Sequence, residues 1–224
     1  MNDGYYQVYE DRQFTVKAVP IRHSVFCLGY VVEEKRRTRV NQERVRALGI
    51  MENNQLIGEI LKKGSAVLPN GQRVEKEEIV GGTTPRPRKV VVLGDTSDPG
   101  AIADLAMDAD VLVHEATYTN EERTLAATKM HSTAGMAGAF ARRIRAQNLV
   151  LTHFSPRNFG ASDLSECIHI RTIVEQAKRA FGSDRVFPAQ DFWRFPLPIA
   201  RRTWRRITEE ERCGGEGHGG RAAE

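Results

Sequence analysis

The chain has 224 residues, 40% of them hydrophobic, which is enough to bury the core of one domain and too little for two domains of ordinary size. Its 33 basic and 29 acidic residues leave a net charge of +4, a mild bias that suits a polyanionic partner without identifying one. No run approaches the length of a membrane span, no signal peptide opens the chain, and three widely separated cysteines argue against a disulfide framework.

The amino-terminal region predicts a small antiparallel sheet. Apolar and polar residues alternate over residues 5–9 and 14–19, on either side of a charged turn at residues 10–12, which is the pattern of a β-hairpin. A third strand is predicted over residues 28–32.

Residues 33–80 are more charged and contain local structure signals. Asn41 is expected to cap a short helix that ends at Gly49, and the Pro-Asn-Gly sequence at residues 69–71 predicts a turn between two short runs. Residues 84–88, stiffened by two prolines, then predict an extended linker.

Three short apolar runs, at residues 89–93, 110–113 and 148–152, predict buried parallel strands. Each run is followed by metal-binding side chains, namely Asp95, the pair His114 and Glu115, and His153. We expect these endings to converge, because open α/β sheets bind ligands beyond the carboxyl ends of their strands. Carboxylates and imidazoles are the usual ligands of catalytic zinc, so the pattern favours a metal-assisted hydrolase. A single Asp or His after a strand is more often a turn former, but four at successive strand ends favour a functional site.

A helix is predicted after His131. Ser132 is expected to cap it, and Met136, Phe140 and Ile144 are expected on one face, which places His131 at the positive end of the helix.

The carboxyl-terminal region predicts a long helix and two strands. The helix is expected to begin at Ser162, and its His169 is interpreted as structural or exposed because no neighbour has ligand spacing. Residues 185–189 and 192–197 are predicted as the last strand pair, and residues 200–224 as a disordered tail.

Five short motifs resemble those of one enzyme family in order and spacing. They read GDT at 94–96, VHEAT at 113–117, HST at 131–133, LTHFS at 151–155 and AQDF at 189–192. Together they resemble tRNase Z, the ELAC-type zinc phosphodiesterases of the metallo-β-lactamase fold, which remove the 3′ trailer from precursor tRNA. The resemblance runs from about residue 5 to residue 198, and the segment around His23 is similar to the family's earlier histidine ligand segment.

The resemblance implies an α/β fold, the four-layer αβ/βα metallo-β-lactamase sandwich, over residues 1–199, with a flexible arm inserted at residues 33–80. The family's His-x-His-x-Asp-His cluster does not occur in this sequence, whose six histidines include no His-x-His pair. We therefore expect the carboxyl-terminal two thirds of a tRNase Z domain, incomplete at its amino end, with poor activity of this chain alone.

The resemblance also implies roles in the reaction. His23, Asp95 and His153 would bind zinc, two ions per site in the complete family, with Asp95 bridging them. His131 would protonate the departing 3′ oxygen, and Glu115 would favour its charge.

The implied substrate is precursor tRNA, and substrate contacts are expected from Arg157, Ser155 and Thr96. Cations of the arm would contact phosphates and make binding salt dependent, the expected contacts being Lys35, Arg36, Arg37, Lys62 and Lys63. We further expect a homodimer with no membrane contact, in the cytosol or the nucleus.

Two other interpretations stay open at this point. A noncatalytic RNA-binding or dimer-partner fragment would use the same side chains for binding only. A different hydrolase of the same fold would act on small esters or lactams, although the HST motif and the long insertion disfavour it.

Overall fold

The computed structural model describes residues 4–35, 39–81, 86–155 and 163–197, with the backbone alone over residues 163–168. The predicted helix start at Ser162 and the predicted tail lie outside these residues. The described strands are β1 (Tyr6–Glu10), β2 (Phe14–Ile21), β3 (Cys27–Glu34), β4 (Ser65–Val67), β5 (Arg73–Glu75), β6 (Lys89–Leu93), β7 (Val111–Glu115), β8 (Leu149–Thr152) and β9 (Val186–Pro188). The described α-helices are α1 (Gln42–Ala47), α2 (Asn54–Lys63), α3 (Lys76–Ile79), α4 (Ala103–Ala106), α5 (Arg123–Lys129), α6 (Ala134–Arg143) and α7 (Asp163–Phe181).

Seven of these strands form one sheet in the order β1-β2-β3-β6-β7-β8-β9. The strands from β1 to β6 pair antiparallel, and those from β6 to β9 pair parallel. The predicted hairpin, third strand and three parallel strands are therefore confirmed. Parallel pairing of β6, β7 and β8 brings their carboxyl ends to one edge, which is where the candidate site lies.

The helices α4, α6 and α7 contribute to the main core on one face of this sheet. Leu112 and Leu151 of the sheet, Phe140 of α6 and Ile173 of α7 are buried together there. The predicted α/β class is confirmed. The described residues supply one sheet layer and one helix layer of the four-layer arrangement, together with the inserted segment.

Thr133, and not Ser132 as predicted, caps α6. The Thr133 hydroxyl accepts a hydrogen bond from Met136 N at 3.3 Å. The Ser132 hydroxyl instead donates to Thr96 O at 2.6 Å, a contact across the fold that the local sequence does not reveal. Of the predicted inner face, Phe140 and Ile144 are buried, whereas Met136 is only partly so.

The predicted last strand pair is wrong in its second half. Strand β9 pairs parallel with β8, but residues 192–197 form no strand. Phe192 has a left-handed backbone with φ of 63°, and Trp193 N donates to Gln190 O, so the chain turns away from β9. Trp193 and Phe195 then pack around Phe187, which stabilises an irregular segment in place of a ladder.

The inserted segment folds as a small unit with its own core. Buried side chains of its three helices, of the β4-β5 hairpin and of the loop after α1 form that second core: Val45, Ile50, Ile60, Leu68, Val74 and Ile79. The predicted cap at Asn41 and the predicted turn at residues 69–71 are confirmed. The unit begins later than predicted, because Glu33 and Glu34 still belong to β3.

Two contacts close the base of this unit. Val40 and Val80 form an isolated bridge, and Gly81 N donates to Arg39 O at 3.2 Å. Strands β3 and β6, which flank the insertion in the sequence, pair directly with each other. The inserted unit therefore connects the adjacent ends of two strands that pair directly with each other in the sheet. Among the described helices, none has the length and apolar character needed to cross a membrane.

Substitution of Gly138 tests how closely α6 packs against α7. A Cβ atom at this position would lie 2.3 Å from Ala177 O and 2.9 Å from Ala180 Cβ. Gly138→Ala should therefore lower the free energy of unfolding by about 1–3 kcal/mol, the usual range for overpacking. The matched control is Gly58→Ala in α2, where nothing lies within 4 Å of the added atom and alanine should stabilise the helix by about 0.5–1 kcal/mol. Urea denaturation followed by circular dichroism measures both changes, and two effects of the same sign would contradict the packing argument.

Candidate metal centre

Three histidines and two carboxylates converge beyond the carboxyl ends of the parallel strands. The ligand atoms of His23, Asp95 and His131 lie within 4.8 Å of one another, and so do those of Glu115, His131 and His153. His153 Nε2 also lies 3.5 Å from Asp95 Oδ2. The structure thus brings together all five residues predicted to bind metal or to act in catalysis.

The segment that carries His23 is tied to the loop that carries Asp95. The carbonyl oxygen of Arg22 accepts hydrogen bonds from the Thr96 hydroxyl at 3.0 Å and from Ser97 N at 2.8 Å. These contacts explain how a residue after β2 reaches the end of β6. The predicted convergence of strand ends therefore includes a histidine that comes from an antiparallel strand.

Two of the imidazoles are oriented by acceptor oxygens. His23 Nδ1 lies 2.7 Å from Met130 O, and His131 Nδ1 lies 2.9 Å from Glu115 Oε1. A carbonyl oxygen can only accept, so Nδ1 of His23 carries the proton and its Nε2 is the nitrogen available to a metal. The His131 ring lies between the other two, with its centroid 4.8 Å from that of His23 and 5.2 Å from that of His153.

Glu115 is 1% exposed, and its carboxylate accepts four hydrogen bonds from described groups. Thr96 N at 2.8 Å and His131 Nδ1 at 2.9 Å contact Oε1. Thr117 N at 3.3 Å and the Thr117 hydroxyl at 2.5 Å contact Oε2. Burial of a carboxylate is unfavourable without such partners, so these contacts hold the surrounding loops in place.

Left-handed backbone conformations occur at two positions of the site. Met130 has φ of 58° at the end of α5, where its carbonyl contacts His23, and His153 has φ of 57° directly after β8. Such conformations are unfavourable for residues other than glycine and cluster at functional sites. The backbone at both positions is set by the surrounding contacts.

The three predicted substrate contacts have different outcomes. Thr96 is fully buried, and its hydroxyl donates to Arg22 O, which supports the Asp95 loop, while its predicted substrate contact stays a prediction. Ser155 is also buried, and its backbone N donates to Thr117 O at 3.3 Å. Arg157 lies outside the described residues.

His114, which the sequence grouped with the site, lies in the core instead. Neighbouring residues of a strand point to opposite faces, so Glu115 faces the site while His114 packs against Phe140 with ring centroids 5.9 Å apart. Its Nδ1 lies 2.6 Å from Glu115 O, and its Nε2 has no hydrogen-bond partner among the described residues. Burial lowers the pKa of His114.

The cations predicted to contact RNA are partly paired with acidic residues. Lys35 bonds Glu10, and Lys63 pairs with Glu59 at 2.7 Å. Lys62 is exposed, whereas Arg36 and Arg37 lie outside the described residues. Over residues 39–81 seven Lys and Arg residues face six Glu residues, so the folded unit is close to neutral.

Sequence reasoning assigned no role to Thr117 or Met130. Thr117 lies in the VHEAT motif, two residues after Glu115, and this spacing was the only signal available. Met130 contributes a backbone carbonyl, and such a contact does not depend on residue type.

No family model matches the chain. The chain is 35% identical over 197 residues to the ribonuclease Z of Rippkaea orientalis, and the match covers 87% of this chain and 60% of that protein. It is also 35% identical over 211 residues to the human zinc phosphodiesterase ELAC protein 1, covering 89% of this chain and 56% of that protein. The chain thus spans between 56% and 60% of the length of these two relatives.

The structure is similar to that of human tRNase Z, short form (ELAC1). The TM-score is 0.50 at 26% sequence identity, and the match covers 88% of this chain and 48% of that chain.

Protonation of His114 should destabilise the fold. Because its pKa is lowered in the folded chain, the unfolded chain binds more protons below about pH 6.5, and the free energy of unfolding should fall as the pH drops through that value. The limiting slope is about 1.4 kcal/mol per pH unit. His114→Leu should flatten this dependence, while His169, whose pKa burial also lowers, is present in both proteins. Urea unfolding at several pH values between 5 and 8 measures the difference, and parallel profiles would contradict it.

Proposed function

We propose that this chain, a homologue of ribonuclease Z and of the ELAC zinc phosphodiesterases, contributes metal ligands and a proton donor to a tRNA 3′-processing endoribonuclease. The reaction would be hydrolysis of the phosphodiester bond that joins the 3′ trailer to precursor tRNA. The observation that carries the proposal is the convergence of His23, Asp95, His131 and His153 on one rim. Since the chain spans only part of the relatives' length, we expect little activity from it alone.

The donor set fits zinc, which prefers imidazole nitrogen and carboxylate oxygen in catalytic sites. His23, Asp95 and His153 would bind the ion. When bound, zinc supplies a Lewis acid and lowers the pKa of a coordinated water. The resemblance implies further ligands in the His-x-His-x-Asp-His cluster, which does not occur in this sequence, so the isolated chain should bind zinc weakly and substoichiometrically.

His131 would hold the proton that the departing 3′ oxygen takes up. Glu115 accepts from its Nδ1, which leaves Nε2 as the nitrogen that would hold the proton for the leaving group. His131 also lies within ligand distance of His23 and Asp95, so the geometry alone allows a ligand role as well. Metal analysis of a variant separates the two roles.

The second candidate function is a noncatalytic RNA-binding or dimer-partner protein. It would need only the side chains that converge on the rim. Here the same rim would bind the tRNA end or another subunit without hydrolysis. We also propose that the protein forms a homodimer and is located in the cytosol or the nucleus.

Two variants test the division of roles. The experiment joins the chain to an amino-terminal region that carries the His-x-His-x-Asp-His cluster, taken from a ribonuclease Z relative, and follows trailer cleavage and zinc content. Asp95→Ala should abolish cleavage with loss of zinc, whereas His131→Ala should retain zinc and cleave about 100-fold to 10,000-fold more slowly, as expected for loss of a general acid. Asp104→Ala, an exposed carboxylate on α4, is the control and should change neither.

Either of two results would contradict this assignment. Equal zinc loss in His131→Ala would make His131 a ligand. Absence of tRNA cleavage by the joined protein under every metal condition would reject the proposed reaction.

A deletion tests whether the inserted unit binds tRNA. Because Glu33 pairs with Lys89 across β3 and β6, the same register sets Lys35 opposite Pro87, so residues 36–86 can be replaced by an Asn-Gly turn. In the joined protein this change should weaken binding of whole precursor tRNA and spare hydrolysis of a small phosphodiester. The slope of log affinity against log salt should become shallower by about 0.9 for each phosphate contact that is lost. Equal losses on both substrates would assign the unit to stabilisation of the fold.

A further inference from the structure

The hydroxyl of Thr117 connects Glu115 to His153. It donates to Glu115 Oε2 at 2.5 Å and lies 2.8 Å from His153 Nδ1. Thr117 is 5% exposed, whereas the side chain of His153 is 49% exposed. A buried hydroxyl thus contacts Nδ1 of an imidazole ring whose side chain is half-exposed.

The protons of this contact can be assigned. A threonine hydroxyl has one proton, and it is donated to Glu115, whose carboxylate also accepts from Thr96 N and His131 Nδ1. The hydroxyl oxygen can therefore only accept from His153, so Nδ1 of His153 must carry a proton. In the neutral ring Nε2 is then the bare nitrogen, and this is the atom that faces Asp95 at 3.5 Å.

We propose that Thr117 is a positioning residue that transmits the acceptor character of Glu115 to His153, so that one buried carboxylate orients His131 directly and His153 through a hydroxyl. The proposal rests on the proposed function in that it assigns His153 Nε2 to the metal. With His23 held by Met130 O, all three imidazoles then have Nδ1 as the hydrogen-bonded nitrogen, which leaves Nε2 for another partner.

His153 needs such a partner more than the other two histidines do. Its side chain is half-exposed, and its own backbone lies in the left-handed region. An exposed neutral imidazole is free to flip and to exchange between its two tautomers, and the tautomer with a proton on Nε2 cannot bind a metal through that atom. Partners that fix the ring of a metal-binding histidine typically change metal affinity by about 10–100-fold.

A purely structural role for Thr117 is the competing explanation. Thr117 O accepts from Ser155 N, and Thr117 N donates to Glu115, so the residue also joins the loops that follow β7 and β8. Both contacts use the backbone and would survive replacement of the hydroxyl. A structural role therefore predicts a loss of stability without a change in the His153 ring.

The test uses Thr117→Val, which removes the hydroxyl at nearly constant shape, and Thr117→Ser, which restores it. The first readout is the ring nitrogen NMR spectrum of His153 in the metal-free chain, recorded at rising pH until the spectrum no longer changes. The wild type and Thr117→Ser should show the proton on Nδ1, and Thr117→Val should show a mixture or the other tautomer. Thr119→Val is the control, because Thr119 is a buried threonine of the same loop whose hydroxyl contacts Glu122 and, among the described residues, no histidine.

The second readout is the affinity of the chain for Co²⁺, used as a spectroscopic probe in place of zinc. Thr117→Val should lower it by about 10–100-fold, with recovery in Thr117→Ser and no change in Thr119→Val. An unaltered His153 tautomer in Thr117→Val would overturn the proposal, and so would a wild-type ring protonated on Nε2, a result that needs no variant to fold. Neither NMR result depends on tRNA cleavage, so failure of the proposed reaction and failure of this inference are distinguishable.

Discussion

The buried carboxylate of Glu115 is the interaction on which the geometry of the site depends. A carboxylate removed from water must replace its hydration with hydrogen bonds, and hydrogen bonds to charged groups contribute about 1.5–3 kcal/mol each. The donors come from three places in the chain: the loop after β6, the loop after β7 and the start of the segment that leads into α6. Satisfying one buried charge therefore fixes the relative positions of the Asp95 loop and His131.

The same reasoning explains why the sequence predicted the location of the site better than its contacts. Alternating and continuous apolar runs determine strands, and parallel strands determine which ends meet, so Asp95, Glu115 and His153 followed from periodicity. Side chains alternate between the two faces of a strand, so Glu115 points to the site and His114 points away from it. The two residues were grouped in the sequence-based prediction because both stand at the end of one apolar run, without regard to this alternation. The capping role of Thr133 depends on Ser132 being engaged by Thr96 O, which is a contact between distant parts of the chain.

The inserted unit has its own core, separate from the main core that supports the candidate site. Its buried residues form a second core that does not share members with the main core, and its near-neutral charge comes from acidic residues interspersed among the basic ones. The local signals at Asn41 and at residues 69–71 were sufficient to predict its turns and caps, because those elements depend on neighbouring residues. The existence of a second core was not predicted, since charged helices with one apolar face show their burial only when they pack.

The left-handed backbone at His153 has a consequence for how this sequence changes over generations. A residue with a Cβ atom in this conformation costs about 1–2 kcal/mol that glycine would not. Mutation toward glycine or asparagine at 153 would relieve this cost, and the contacts of the ring with Thr117 and His131, together with a requirement for the imidazole, oppose it. Position 153 is accordingly one of the first places where a copy of this gene released from its chemical task would be expected to drift.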